Sequence, residues 1–305
     1  MTTLAEWAQK LATSEVPEKP QTVLIYGAPK TGKSALAATL ATKYDLVWLD
    51  IDKGAQVLFT AVPKERWANI QLVEIIDDND NPRAIKTMSK LVKSKTPVSF
   101  CAEHGEIMCP TCTVKKLPAQ LTIDPTKLTT KTVLVIDSLS RLSDSAMAHA
   151  LGLQGDMKFT KKEYSHYDNQ GLLLKGILTL AQYMKCHVVM ISHEEELAHE
   201  DGTKKITPIA GTRNFARRVA GYFDHVIYTS LRNKKYCISS LGTSDIKVQA
   251  GNRNNIDIKS VADFVNIFSV DHILQAKTAN FSFSHEATEL EVEETQKAGA
   301  AAKAE

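Results

Sequence analysis

Long apolar runs and an even set of cysteines are both missing from this sequence. No stretch reaches the ~18 consecutive apolar residues that a membrane span needs, and the first residues, MTTLAEWAQKLA, lack the basic and apolar segments of a secretion signal. Five cysteines, an odd number, argue against a disulfide framework. We therefore expect a cytoplasmic protein outside the membrane, whose cysteines act as thiols or metal ligands.

A large excess of one sign of charge is missing as well. The 37 basic and 35 acidic side chains leave a formal net charge of +2, so the overall charge indicates no partner and only local clusters of Lys and Arg can. With 43% apolar residues, the 305-residue chain can bury one main core and a small appended module.

Strand-like apolar runs alternate with helical patterns along the first two thirds of the chain. The runs are Thr22–Tyr26, Leu46–Leu49, Ile70–Ile76, Thr132–Ile136 and His187–Ile191. This alternation predicts an α/β fold with a mainly parallel sheet flanked by helices. Three later runs, joined by turn residues, predict an antiparallel extension of the sheet toward the C-terminus. They are Asp224–Ser230, Tyr236–Ser240 and Ile246–Gln249.

The sequence predicts four parts with different character. Residues 1–20 are expected to form a short helix and a proline-containing linker, and residues 21–270 the α/β core. Residues 96–131 are expected to form a small cysteine-containing insertion within that core. Residues 271–305 end in a Glu-, Ala- and Lys-rich stretch, where we expect a disordered acidic tail.

The segment GAPKTGKS matches the phosphate-binding pattern G-x-x-x-x-G-K-[ST]. It follows the apolar run TVLIY and precedes a helical pattern over Ser34–Lys43, which is the strand-loop-helix context that the pattern requires. Its glycines let backbone N–H groups surround phosphates, Lys33 neutralises phosphate charge, and Ser34 offers its hydroxyl to Mg²⁺. A tight glycine turn alone would not explain the lysine and the serine. The predicted nucleotide-binding residues are Gly27, Ala28, Pro29, Lys30, Thr31, Gly32, Lys33 and Ser34.

Polar residues follow three other predicted strands, at the sheet edge where the nucleotide is expected. Asp137 ends the run TVLVID, and a buried carboxylate there is costly unless it is paired or near a metal, so we predict a magnesium site with Ser34. The second strand ends in WLDIDKG, in which Asp50 and Asp52 alternate onto one face. One of them can cap the turn, and we predict Asp52 as the base that activates water. His193 ends the fifth strand and is predicted to sense the γ-phosphate, the alternative being a packed histidine.

In this order and spacing, these segments and the later PIAGTRNFARRVAGYFDHV resemble the RecA-like recombinases, and most closely the small phage-encoded RecA-like ATPases of single-strand annealing and recombination. The resemblance covers about Gln21 to Asn255. It implies a RecA-like P-loop core that uses ATP and Mg²⁺, with Lys33, Asp52, Asp137 and His193 as the catalytic set. The family commonly has Glu at the water-activating position and often Gln at the sensor position, so Asp52 and His193 depart from its pattern.

The resemblance also implies two loops that bind single-stranded DNA, at Gly152–Ser165 and Glu194–Arg218. The first interleaves basic and aromatic residues and the second is basic, as a surface that follows a phosphate backbone would be. A solvated basic loop is the alternative for each. The predicted DNA-binding residues are Lys158, Phe159, Lys161, Lys162, Tyr164, Lys204, Lys205, Arg213, Arg217 and Arg218.

A homo-oligomer, either ring or filament, with ATP at the protomer interface is a further implication of the resemblance. Its members receive a cationic finger from the neighbouring protomer. Four cations in the downstream β region are candidates, and the sequence does not choose among them: Arg232, Lys234, Lys247 and Arg253.

The segment FCAEHGEIMCPTC departs from the resemblance and predicts a metal site. Cys101 with His104, and Cys109 with Cys112, form two ligand pairs with the spacing of a zinc ribbon or knuckle. Because the protein fills all four positions, the predicted Zn²⁺ is structural. The insertion is too small to fold on apolar burial alone, and the alternative is a set of reduced thiols.

Three functions are compatible with these features. The leading one is a DNA-dependent ATPase that assembles on single-stranded DNA and promotes annealing or strand exchange, with a single-strand-binding protein as a further candidate partner. The second is a ring helicase or translocase, and the third is a slow ATPase that acts as a nucleotide-gated DNA-binding or loading protein. A GTPase is disfavoured because no N-K-x-D motif is present, and the nearest string, Asn233-Lys234-Lys235-Tyr236, lacks the acid.

Overall fold

The computed structural model describes residues 19–153, 162–198, 204–240, 248–252 and 257–269, together with Glu6 and Gln9. The strands are β1 (Thr22–Gly27), β2 (Asp45–Asp50), β3 (Ile70–Glu74), β4 (Val98–Cys101), β5 (Ala119–Ile123), β6 (Thr132–Asp137), β7 (His187–Ala198), β8 (Lys204–Pro208), β9 (His225–Arg232), β10 (Lys235–Ser239) and β11 (Gly251–Asn252). The helices are α1 (Lys33–Ala38), α2 (Leu58–Ala61), α3 (Arg83–Lys93), α4 (Pro110–Val114), α5 (Leu139–Leu153), α6 (Tyr164–Ala181), α7 (Arg213–Val219) and α8 (Val261–Val265). The predicted tail, residues 271–305, lies outside the described residues.

One large sheet organises the described part of the chain. Its strands follow the order β10-β9-β1-β7-β6-β2-β3, and all neighbours from β9 to β3 are parallel. The five predicted strand runs all lie in this sheet, so the predicted α/β core with a mainly parallel sheet flanked by helices is confirmed. The antiparallel extension begins one strand later than predicted, because β9 runs parallel to β1 and only β10 and β11 pair antiparallel with β9.

Both faces of the central strands β1, β6 and β7 are buried, which explains why their runs are apolar after the first residue. Alternate residues of β1 enter different clusters: Leu24 and Tyr26 pack with α3, α5 and α6, whereas Val23 and Ile25 pack with α1 and α8. The parallel pairing brings the carboxyl ends of β1, β2 and β6 to one sheet edge, where a parallel α/β sheet places its ligand. His193 lies at this edge but does not end its strand as predicted, because β7 continues to Ala198 and pairs with β8.

The predicted insertion, residues 96–131, packs into this same core. Strands β4 and β5 pair antiparallel, and Phe100, Ile107 and Ile123 belong to one of the two main clusters. Gly105 has a φ of 64°, and a side chain there would collide with the backbone carbonyl of Glu74, so glycine is required at this close approach. The insertion is thus held against β3 and α3. No helix among the described residues combines the length and apolar character needed to cross a membrane.

His187, at the start of β7, makes the fold sensitive to acid. Its side chain is fully buried, stacks on Phe268 with 3.8 Å between ring centroids, and accepts a hydrogen bond from the Gln21 backbone N–H. Burial lowers the pKa of His187 to about 4; nearby His225 adds to this and Asp224 opposes it. Below pH 6.5 the imidazole of His187 is therefore protonated in the unfolded chain, whereas in the folded protein it is protonated only below about pH 4. We expect the free energy of unfolding to fall by about 3 kcal/mol across this window.

Replacing His187 with phenylalanine tests this acid sensitivity. The variant keeps a ring against Phe268 but cannot titrate, so its free energy of unfolding should fall less than that of the wild type between pH 7 and pH 4.5. Denaturant unfolding at the two pH values measures the difference. Equal losses in both proteins would contradict the role of His187.

Candidate nucleotide site and metal centre

The loop between β1 and α1 requires glycine at two positions. A side chain at Gly27 would collide with the carbonyl oxygen of Thr229 on β9, and Gly32 has a φ of 83°, in the left-handed region. Thr31 fastens the loop, since its hydroxyl donates to the Ala28 carbonyl at 2.8 Å and lies 2.8 Å from the Thr229 hydroxyl. The backbone of the predicted phosphate loop is thus held between its own turn and the neighbouring strand.

Lys33 lies at the centre of this loop. Its side chain is buried, and Nζ donates to the carbonyl oxygens of Gly27 at 3.0 Å and Ala28 at 2.7 Å. Burial lowers the pKa of Lys33, while the nearby carboxylates of Asp137, Glu194 and Asp52 oppose that shift. The loop therefore presents one buried amine among acidic groups, and a phosphate group would be a strongly stabilising partner for it.

Asp137 and Ser34 meet as the predicted magnesium site requires. The Ser34 hydroxyl donates to Oδ2 of Asp137 at 2.7 Å, and Asp137 is only 3% exposed. Burial raises the pKa of Asp137 to about 7, with Asp50 and Asp52 adding to the shift and Ser34 and Lys33 opposing it. A carboxylate and a hydroxyl beside a phosphate loop are hard oxygen ligands, so these residues fit Mg²⁺.

The two acids after β2 have different surroundings, which the sequence left open. Asp50 caps the turn: its carboxylate accepts the backbone N–H groups of Gly54 at 3.1 Å and Ala55 at 2.9 Å. Asp52 makes no such cap. Its backbone N–H donates to the Asp137 carbonyl at 3.1 Å, and its partly exposed carboxylate lies beside the candidate magnesium site.

The carboxylate of Asp52 has two partners from other elements. Arg141, in the first turn of α5, donates Nε to Oδ1 at 3.0 Å, and Nε2 of His193 lies 3.3 Å from Oδ2. His193 thus contacts the predicted base, and its role as a γ-phosphate sensor stays a prediction. Sequence reasoning missed Arg141; the only local signal is a cation four residues after Asp137 in the string DSLSR.

A second residue that sequence reasoning missed lies over the phosphate loop. Tyr236, on β10, is 70% exposed, and a Cβ built on Gly32 would lie 3.1 Å from its ring. The aromatic ring therefore borders the loop on the side of β9 and β10. No sequence pattern connects positions so far apart, because their proximity depends on the pairing of β9 with β1.

The four predicted zinc ligands come together. Nδ1 of His104 lies 3.3 Å from Sγ of Cys112, 3.6 Å from Sγ of Cys109 and 4.0 Å from Sγ of Cys101, and all four ligand atoms lie within 4.8 Å of one another. Three thiols and one imidazole nitrogen at this spacing fit a tetrahedral Zn²⁺. Sequence reasoning missed Glu103, whose Oε2 lies 4.0 Å from Nε2 of the histidine and 3.5 Å from Nζ of Lys115.

The predicted DNA-binding residues fall in several places. Lys158, Phe159 and Lys161 lie outside the described residues. Exposed Lys162 and Tyr164 lie at or just before the start of α6. The second predicted loop is a β7–β8 hairpin followed by α7; Lys204 begins β8, and the exposed cations are Lys205, Arg213, Arg217 and Arg218.

Two of the four candidate finger residues are described. Arg232 and Lys234 are exposed at the β9–β10 turn, near Tyr236. Lys247 and Arg253 lie outside the described residues.

Comparison with known proteins gives one family and several similar folds. The family model described as an AAA domain matches residues 19–260. A search of curated protein sequences found no match. Similar solved structures include the RadB recombinase (11% identity, 78% of this chain and 89% of that chain, TM-score 0.37). Flagellar accessory protein FlaH from Methanocaldococcus jannaschii is 11% identical over 82% of this chain and 87% of its own, with a TM-score of 0.37. An ATPase from the type III secretion system of pathogenic bacteria is 14% identical over 71% of this chain and 53% of its own, with a TM-score of 0.36.

Proposed function

The chain belongs to the AAA domain family, and from this premise we propose that it is a DNA-dependent ATPase that assembles on single-stranded DNA to promote annealing or strand exchange. One observation supports its chemistry above all. The phosphate loop, the Ser34–Asp137 pair and Asp52 meet at one edge of the sheet, at distances that suit binding and hydrolysis of a nucleoside triphosphate.

The phosphate loop and Asp137 of β6 would bind the nucleotide and its metal ion. A P-loop ATPase implies ATP with Mg²⁺, and a bound Mg²⁺ neutralises charge on the β- and γ-phosphates. Lys33 would give its amine to the same phosphates in exchange for the two carbonyls that it contacts in the loop. Ser34 and Asp137 would hold the metal through their hydroxyl and carboxylate oxygens.

Water activation falls to Asp52. A general base needs an oxygen within hydrogen-bond reach of the attacking water, and Asp52 is held next to Asp137 by its backbone while its carboxylate stays partly open to solvent. Asp50 is a poorer candidate because its carboxylate caps the turn and the residue is only 1% exposed, whereas the Asp52 side chain is 26% exposed.

DNA binding would use the exposed cations of the β7–β8 hairpin and α7. Arg217 and Arg218 lie on the exposed face of a helix whose start is fixed by Thr212, which accepts the backbone N–H of Phe215 at 3.2 Å. Helical cations at fixed spacing suit contacts with successive phosphates. We propose a cytoplasmic homo-oligomer, ring or filament, with ATP between protomers, a structural Zn²⁺ in the insertion, and a single-strand-binding protein as a further partner.

The discriminating experiment is ATP turnover with and without single-stranded DNA. We expect DNA to stimulate turnover. The double variant Arg217→Ala/Arg218→Ala should weaken DNA binding and reduce the steepness of log affinity against log salt by about 1.4, since each phosphate contact to a single strand contributes about 0.7. Its matched control is Lys127→Ala/Lys131→Ala, two exposed cations before β6 at the opposite sheet edge, which should keep DNA stimulation.

Strand assays separate the alternatives. Annealing or strand exchange without unwinding supports the proposal, whereas unwinding of a forked duplex would favour a ring helicase. DNA binding with ATP turnover that is slow and not stimulated would favour the loading protein, a candidate supported by the pairing of the short acid Asp52 with Arg141. A wild-type protein that neither binds single-stranded DNA nor responds to it would contradict all three DNA functions.

A further inference from the structure

Donor groups from two other elements hold the carboxylate of Asp52, one on each oxygen. Arg141 of α5 contacts Oδ1 at 3.0 Å and His193 of β7 contacts Oδ2 at 3.3 Å. The hydrogen bond to Asp52 is the main reason that the pKa of Arg141 is raised. A carboxylate oxygen accepts about two hydrogen bonds, so each oxygen keeps room for a water molecule.

Hydrogen bonds join the first turn of α5 to Ser192 and His193, within β7, and this fixes the backbone from which the Arg141 side chain extends. Ser140 lies one residue before Arg141; its hydroxyl accepts the backbone N–H of His193 at 2.8 Å and is 3.1 Å from the Ser192 hydroxyl. The backbone N–H of Arg141 donates to the Ser138 hydroxyl at 3.3 Å. Asp52, Arg141 and His193 therefore belong to one polar cluster built from three elements.

Stability is a poor explanation for this ion pair. The side chain of Arg141 is 59% exposed, and an ion pair this open to solvent contributes little to the free energy of unfolding. Orientation of the Asp52 carboxylate is a better explanation. The end of an aspartate side chain rotates in a broad torsional well, whereas a general base must present its oxygen to water at a defined position.

We propose that Arg141 is a positioning residue for ATP hydrolysis, which holds the Asp52 carboxylate in the orientation that takes a proton from the attacking water. The proposal rests on the proposed role of Asp52 as the base. Arg141 acts through that carboxylate, and among the described contacts it makes none with the phosphate loop. Its loss should therefore slow the chemical step and leave nucleotide binding intact.

Kinetics of Arg141 variants provide the first test. We expect Arg141→Ala to lower kcat about 10- to 100-fold, because small misplacements of a catalytic group have effects of this size. KM and the Kd of a fluorescent ATP analogue should stay within about twofold. Arg141→Lys should recover part of the lost kcat, since it restores the charge without the fixed geometry of the guanidinium.

Asp144→Ala is the matched control on the same helix. Its carboxylate is 70% exposed and lies 4.0 Å from Arg141 but does not touch Asp52, so kcat should stay within about twofold of the wild type. A loss as large as that of Arg141→Ala would overturn the proposal, because it would assign the effect to the helix surface. Circular dichroism and thermal unfolding check that every variant is folded.

A double-mutant cycle with Asp52→Asn decides whether Arg141 acts through Asp52. If it does, Arg141→Ala should cause no further loss of kcat in the Asp52→Asn background. An equal fractional loss in both backgrounds, a raised KM with unchanged kcat, or wild-type kcat in Arg141→Ala would each overturn the proposal about Arg141 alone. Wild-type kcat in Asp52→Asn would instead contradict the assignment of the base, so the two failures are distinguishable.

Discussion

Replacement of Lys33 by alanine is expected to lower kcat/KM for ATP about 100- to 1,000-fold, the size of effect seen when one preorganised electrostatic contact is removed. The amine is buried and donates to Gly27 and Ala28 at the centre of the phosphate loop, whereas Lys30, the other lysine of the loop, is exposed. Steady-state kinetics and the Kd of a fluorescent ATP analogue measure the loss.

Lys43→Ala is the control for this substitution. Lys43 follows the helical segment after the loop, is exposed and donates to Asn266 at 3.1 Å, so its loss should leave kcat/KM within about twofold. Wild-type kinetics in Lys33→Ala would contradict the nucleotide site as described. An equal loss in Lys43→Ala would show that general charge near the loop, and not the buried amine, matters.

Loss of the predicted zinc is expected to cause the second large effect, a drop in melting temperature. We expect about one Zn²⁺ per chain in purified protein, and Cys112→Ser should lose the metal because a three-ligand site binds Zn²⁺ far more weakly. The loss should lower the melting temperature by about 6–15 °C, which corresponds to a few kcal/mol in a chain of this size. The cluster lies beside Phe100 and Ile107 of the main core, so loosening the insertion also loosens the sheet.

Cys237→Ser is the matched control, since this cysteine lies on β10, away from the cluster. It should keep the metal and the melting temperature of the wild type. Metal analysis by mass spectrometry and calorimetry give the two readouts. Less than about half an equivalent of zinc in the wild type, together with normal folding of Cys109→Ser, would contradict the four-ligand site.

The sheet was predictable because its strands are buried on both faces. Runs such as Val133–Ile136 are apolar at every position, and this pattern does not depend on which strand lies next to which. The direction of β9 was not predictable from its own residues. It depends on the pairing with β1, which brings Val226 beside Leu24 although the two are far apart in sequence.

The residues of the candidate site were predictable where they lie close together in sequence. The two acids after β2 show the limit. Alternation places Asp50 and Asp52 on the same face only while the strand continues, and β2 ends at Asp50. The chain then turns, so that one carboxylate caps the turn and the other reaches Arg141, which is 89 residues away in sequence.

The sequence by itself determined the candidate phosphate loop and the four candidate metal ligands, because each depends on residue types within a few positions of one another. GAPKTGKS needs only its own backbone and its lysine and serine, and two residues separate the members of each ligand pair, Cys101–His104 and Cys109–Cys112. The tertiary structure alone decided which acid faces the nucleotide edge and which cation holds it. Those contacts join β2, α5 and β7, and residues on three elements become neighbours only through the order in which the strands pair.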